Sequence, residues 1–131
     1  MNHSHAPEIR IKFIPHNRQA YPTVGDWRYK KGVLCIYVSQ MSDWRYEVCV
    51  AVHELVEVIL CRERGITVAE VDAFDKAYEK NRKAGDDSEP GDHPKAPYRR
   101  EHFFATNMEA LLSAELGIDW AKYEGEINSL P

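Results

Sequence analysis

The spacing of apolar residues changes period once, between residues 39 and 43, and that change constrains the fold more than any other feature. Upstream, Ile9, Ile11 and Phe13 alternate with Arg10 and Lys12, the period-two mark of a half-buried strand, and Pro15 stops it. Residues 16–23 are polar, contain Pro22, and read as a loop. Residues 26–38, DWRYKKGVLCIYV, read as two strands joined by a hairpin turn at Lys30, Lys31 and Gly32. The second arm, Val33 to Val38, is nearly all apolar, as expected of a strand with a covered face.

Downstream, the period is helical. Ser42 or Asp43 can cap a helix over residues 43–64, and Gly65 supplies its left-handed stop. Thr67-Val68-Ala69-Glu70 is a capping box opening a second helix from about Val68 to Arg82, with Val71, Phe74 and Tyr78 on its buried face. A third helix is expected from Pro97 or Tyr98 to Leu116, before Gly117, and Asp119 can cap a short last one over residues 120–128. Strands first and helices after predict an α+β domain. In it a small antiparallel sheet of about three N-terminal strands packs against three to four helices.

The 131 residues suit one domain, 1–131. Residues 1–8, with His3 and His5, are expected to be a loose tail. Residues 84–97, AGDDSEPGDHPKAP, are expected to be a long internal loop, because their prolines and glycines break both periods. No apolar run approaches the roughly 20 residues of a membrane span, and residues 1–8 lack a signal peptide's apolar core. Cys35, Cys49 and Cys61 are odd in number, form no CxxC and sit in apolar runs, so they read as reduced core residues of a cytoplasmic protein. The net charge of −4 makes nucleic acid an unlikely partner while leaving room for a local basic patch, and no interleaved basic-aromatic patch, Gly-rich phosphate loop or Ser/His/Asp set is visible in the chain.

Chemistry concentrates on the first helix, in Val52-His53-Glu54-Leu55-Val56-Glu57. His53 and Glu57 lie about 40° and one turn apart, so both can point at one atom. Imidazole with carboxylate suits zinc or another first-row divalent ion. Val48, Cys49, Val52, Val56, Ile59 and Leu60 form an apolar arc with His53 at its edge, while Val50 and Cys61 lie just past Glu57. A carboxylate hemmed in this way needs a partner, either a metal or an arginine. Glu54, about 60° beyond Glu57, is placed to take a proton from water beside the pair.

His53-Glu54-Leu55-Val56-Glu57 resembles the His-Glu-x-x-His helix of the zincin metal hydrolases, and the strand Leu34–Ser39 before it is similarly placed. Position 57 is Glu where that family has His, which implies a less Lewis-acidic ion. HELVE, GI, VDAFD, PGD, APY, REHFFAT and DW…Y, over roughly residues 50–123, also resemble a group of small phage and prophage proteins. That resemblance brings no activity with it. It implies that His53, Glu54, Glu57, Asp72, Asp75, His102 and Glu109 belong to one pattern.

If the first two helices form an antiparallel hairpin, Asp75 comes level with Glu57 and is expected as a third ligand, with Asp72 in reserve. On the third helix His102, Thr106, Glu109 and Ser113 make a polar stripe between apolar arcs. His102 is the expected fourth ligand, with His93 as its substitute, and Glu109 is expected to orient a ligand. Trp27, Trp44 and Trp120 read as core or edge aromatics.

The expectation is thus a divalent-metal-binding protein, the metal zinc, with ligands His53, Glu57, Asp75 and His102. As an enzyme it would be a metallopeptidase-like hydrolase with Glu54 as general base. The alternative is a non-catalytic phage-type accessory protein that binds a host protein, its polar cluster or metal being structural. The substrate or host protein is unknown, and no membrane partner is expected.

Overall fold

The computed structural model describes residues 5–131; residues 1–4 of the expected tail, His3 among them, lie outside the described residues. In chain order the elements are β1 (Ile9–Ile14), β2 (Gly25–Lys30), β3 (Val33–Ser39), α1 (Trp44–Glu63), α2 (Val68–Lys80), α3 (Arg99–Glu115) and α4 (Trp120–Ser129). Short 3-10 turns at His16–Arg18 and Pro90–Asp92 interrupt the two longest connections. The α+β order is therefore the one the change of period predicts. Among the described residues no helix is long and apolar enough to cross a membrane.

The caps explain the boundaries. Asp43 accepts a hydrogen bond from the Arg45 amide at 2.9 Å, and Thr67 accepts one from the Glu70 amide at 3.2 Å. Lys31 (φ 51°) and Gly32 (φ 79°) make a two-residue hairpin with positive φ at both positions, whose twist matches that of the strands they join.

The sheet, expected to be antiparallel, is mixed, with strand order β1-β3-β2. β2 and β3 pair antiparallel through their hairpin, whereas β1 pairs parallel with β3. The cause is the link over residues 15–24. It carries the chain across the sheet end by two strand spacings, roughly 9.6 Å, so the hairpin returns into the gap beside β1. His16 and Gln19 pin this link, through contacts to Ser39 Oγ at 2.8 and 3.1 Å.

β3 is central, and Leu34, Ile36 and Val38 on its helix-facing side are fully buried. Their partners Ile9, Ile11 and Phe13 on β1 point the same way. They stay 37–40% exposed because α1 packs on β3 and β2. The three cysteines are free and buried.

The two long helices are packed through polar stripes. The buried face of α1 is Tyr46, Cys49, Val50, Ala51, His53, Glu57, Val58 and Cys61, so the polar pair lies in its middle rather than at its edge. Of the arc expected to be buried, only Cys49 is; Val48, Val52, Val56 and Leu60 are half-buried and Ile59 is exposed. On α3 the buried residues are Glu101, His102, Ala105, Glu109 and Ser113, while Phe104, Met108 and Leu111 are exposed. Small residues flanking the pair let the sheet and α3 close on it, and hydrogen bonding satisfies the polar groups inside.

Ile36→Ala should lower unfolding free energy by about 2–5 kcal/mol, the usual loss for emptying a closed core site. Its β1 neighbour Ile11→Ala should cost about half of that or less, since part of the side chain is already in water. Urea midpoints of the two variants against wild type measure this directly.

Candidate metal centre

α1 and α3 run antiparallel, because His53 meets Glu109 while Glu57 meets His102. One oxygen of Glu57, Oε2, stands between two imidazoles, 3.2 Å from His53 Nε2 and 2.9 Å from His102 Nδ1. Ligand atoms of His53, Glu57 and His102 all lie within 4.8 Å of one another, and all three residues are buried. The other oxygen of Glu57 accepts the Trp27 indole N–H at 3.1 Å.

The outer nitrogen of each ring faces a carboxylate. His53 Nδ1 is 2.7 Å from Glu109 Oε1, and the Tyr123 hydroxyl donates to Glu109 Oε2 at 2.5 Å. His102 Nε2 lies 3.1 Å from Asp92 Oδ1 and 3.5 Å from Glu89 Oε2. Metal-binding histidines are commonly held this way, one nitrogen on a carboxylate and the other turned to the ion. Two rings so held, facing one carboxylate oxygen, make a donor set of two imidazoles and a carboxylate.

Two glycines make room. A Cβ on Gly91 would sit 2.4 Å from His102 Cγ, so the Pro90–Asp92 turn cradles the ring only because residue 91 has no side chain. A Cβ on Gly25 would sit 2.8 Å from Glu54 Cγ and 2.9 Å from Val50 Cγ1. β2 thus approaches α1 closely enough for Trp27 to reach Glu57.

The centre opens on a cleft of about 90 Å³ lined by His53, Glu54, Glu57, Asp72, Asp75 and His102 among others. A water needs roughly 10–15 Å³ of such space, so several fit. Burial raises the Glu54 carboxyl well above its usual range, and repulsion from Glu57 adds to the rise. Burial likewise raises Asp75 to about 7, against a hydrogen bond from the Tyr98 hydroxyl at 2.5 Å. Burial opposes charge on Glu57 too, but hydrogen bonds to His102 and His53 outweigh it and bring the carboxyl down to about 2. Burial also disfavours the imidazolium forms, yet the carboxylate partners win, raising His53 to about 11 and His102 to about 10.

No family model, curated protein or solved structure matches this chain. The site is therefore read from its own geometry.

Of the expected residues, His53, Glu57 and His102 converge, and Glu109 orients His53. Asp75 and Asp72 line the same cleft but stand outside the converging set. α2 does not lie closely along α1 as an antiparallel hairpin would; the helix packed most extensively on α1 is α3, and the cleft separates α1 from α2. His93 packs tilted against Phe74 and edge-on to Tyr78, outside the cleft lining and the converging set. Trp27, Tyr123, Glu89, Gly91 and Asp92 were not singled out as site residues. Only PGD and DW…Y, within the resemblance, touched any of them.

Without metal, these shifts set a pH dependence. A histidine raised in the fold contributes stability fully present below its unfolded value of about 6.5 and lost as pH rises through about 10 to 11. Glu57 contributes stability present above its unfolded value of about 4.5 and lost as pH falls through about 2. Thermal melts in chelator should therefore show a falling melting temperature from about pH 6.5 to 10. A flat profile across that range would show that the imidazoles are not held as cations.

Proposed function

We propose that the protein is a divalent-metal hydrolase of zincin-like design, with zinc bound by His53, Glu57 and His102 and with Glu54 as general base. The observation that carries this reading is the pair of imidazoles, each backed by a carboxylate and each turned toward the same oxygen of Glu57.

The donor set answers the objection raised by glutamate at position 57. Two histidines and one carboxylate is an established catalytic zinc set. Here the carboxylate takes the second helix position and the third helix supplies the second histidine. The overall ligand charge is that of the established set. Zinc in this set would supply Lewis acidity and lower the pKa of water toward neutrality. Glu54 lies on the next face of α1, on the wall of the cleft, and makes no hydrogen bond within the described residues. In its ionised form the Glu54 carboxylate, whose proton affinity burial raises, would accept a proton from attacking water and return it to a leaving group. Asp72 and Asp75, the latter held by the Tyr98 hydroxyl, line the same cleft and would face a substrate there.

A second reading rests on a different observation. No buried side-chain nitrogen or oxygen among the described residues lacks a hydrogen-bond partner. The cluster is thus complete as a polar tie between α1 and α3, as a non-catalytic accessory protein would need.

Elemental analysis separates the two. Purified wild type should carry about one zinc per chain, and His53→Ala and Glu57→Ala should lose it. Glu54→Gln should keep the metal and lose hydrolysis of a peptide library by about 10²-fold or more, the usual contribution of a general base. A protein with no stoichiometric metal, whose melting temperature ignores chelator, has a structural polar cluster instead.

Gly91→Ala offers a finer check. The new methyl must push the His102 ring off its position, so zinc affinity measured by competition with a chelating dye should fall about 10- to 100-fold. Wild-type affinity in this variant would mean His102 is not a ligand.

A further inference from the structure

We propose that the helix-free face of the sheet is a docking surface for a single-stranded polynucleotide. Leu34, Ile36 and Val38 face the helices, so alternation sends Cys35 and Tyr37 to the other side. The register sets Lys12 beside Tyr37 on one flank and Asp26 on the other, with Arg10 and Arg28 flanking Cys35 in the next row. The link after β1 adds Arg18 as a wall, held by Gln19 donating to the Tyr37 carbonyl at 3.2 Å. The result is a shallow depression of about 330 Å³, lined by Lys12, Arg18, Arg28 and Lys30 against the single carboxylate of Asp26, with Tyr37 in its floor.

This concentration of positive charge stands on a chain whose net charge is −4. Asp26 engages Arg28. Lys12, Arg18 and Lys30 have no carboxylate within ion-pair distance among the described residues. The Lys30 ammonium sits 5.0 Å from the centre of the Tyr37 ring. A ring so placed already attracts a group onto its face, and an arriving base can take that place while Lys30 turns to a phosphate.

Phosphates need cations in rows. Same-face residues along a strand recur roughly every 6.6 Å, and β1 and β2 lie about 9.6 Å apart across β3. Lys12 on the β1 flank and Arg28 and Lys30 on the β2 flank thus place cations around a central aromatic, while Asp26 sits beside the ring and Arg10 is held by Glu8. Sheet faces that bind single strands combine these elements, a basic groove for the backbone and an aromatic on which a base stacks. A duplex keeps its bases paired and offers nothing to a ring in the floor of a depression. An acidic peptide would meet the cations but has no use for Tyr37.

Fluorescence anisotropy with a labelled oligothymidylate of about 20 nucleotides tests the proposal, since a single small domain covers roughly 4–16. Binding should weaken steeply between about 50 and 200 mM salt. The double variant Lys12→Glu/Lys30→Glu, both exposed and so compatible with folding, should weaken it at least about tenfold. Tyr37→Leu should weaken it about fivefold or more, the loss of one stacked base. Glu54→Gln, on the other side of the sheet, should bind as wild type does. Absence of salt-dependent binding overturns the proposal. So does equal binding of duplex with no effect of Tyr37→Leu, which leaves only phosphate attraction, and so does displacement by polyglutamate as effective as by unlabelled oligothymidylate.

Discussion

The arrangement depends on one chain of contacts. It runs from Tyr123 through Glu109, His53, Glu57 and His102 to Asp92, and it joins α4, α1, α3 and the Pro90–Asp92 turn. Trp27 adds the sheet by donating to Glu57. Helices usually meet through apolar ridges, with polar residues outward. Here α1 and α3 meet through polar stripes, and part of their apolar surface lies outward. Breaking one member of such a buried chain strands its neighbour, which is the costly event; the pairings themselves contribute little net stability.

The same contacts that hold the fold prepare the chemistry. Each imidazole is oriented from outside by a carboxylate, so its inner nitrogen is aimed before any ligand arrives. Held as cations, the rings bind their carboxylate partners well; as neutral donors they would offer lone pairs to an ion. A metal ion would therefore compete with protons for one set of atoms, and its binding would gain as pH rises. The small side chains around the pair and the absent ones at Gly25 and Gly91 let three layers approach this closely.

Much was legible in the chain. The break in period at residues 39–43 separated sheet from helices, and Ser42 or Asp43, Thr67 and Asp119 marked helix starts because capping is local, with Asp43 the residue that caps the first. His53 and Glu57 were readable as neighbours because helical spacing alone puts them one turn apart. His102 and Glu109 emerged from a polar stripe between apolar arcs. The direction of burial is not legible in the chain. Apolar arcs were expected to be the buried ones, but a helical wheel cannot say which arc meets a partner when the polar stripe of another helix satisfies the first. Asp75 was placed by an assumed α1–α2 hairpin, and the actual pairing of α1 with α3 leaves it across a cleft.

The basic face of the sheet shows the same limit. Arg10 and Lys12 are separated from Arg28 and Lys30 by the link over residues 15–24, and from Tyr37 by strand order, so no run in the chain announces them. What the sequence by itself determined was local: element type, helix starts, and the His53–Glu57 pair. These follow from dihedral preferences and side-chain spacing within a few residues. Only the tertiary structure decided that β1 lies parallel to β3, that Trp27, Gly91 and Asp92 serve the centre, and that His102 rather than Asp75 meets Glu57. Those are distances between segments far apart in sequence, set by how layers pack around a buried polar chain.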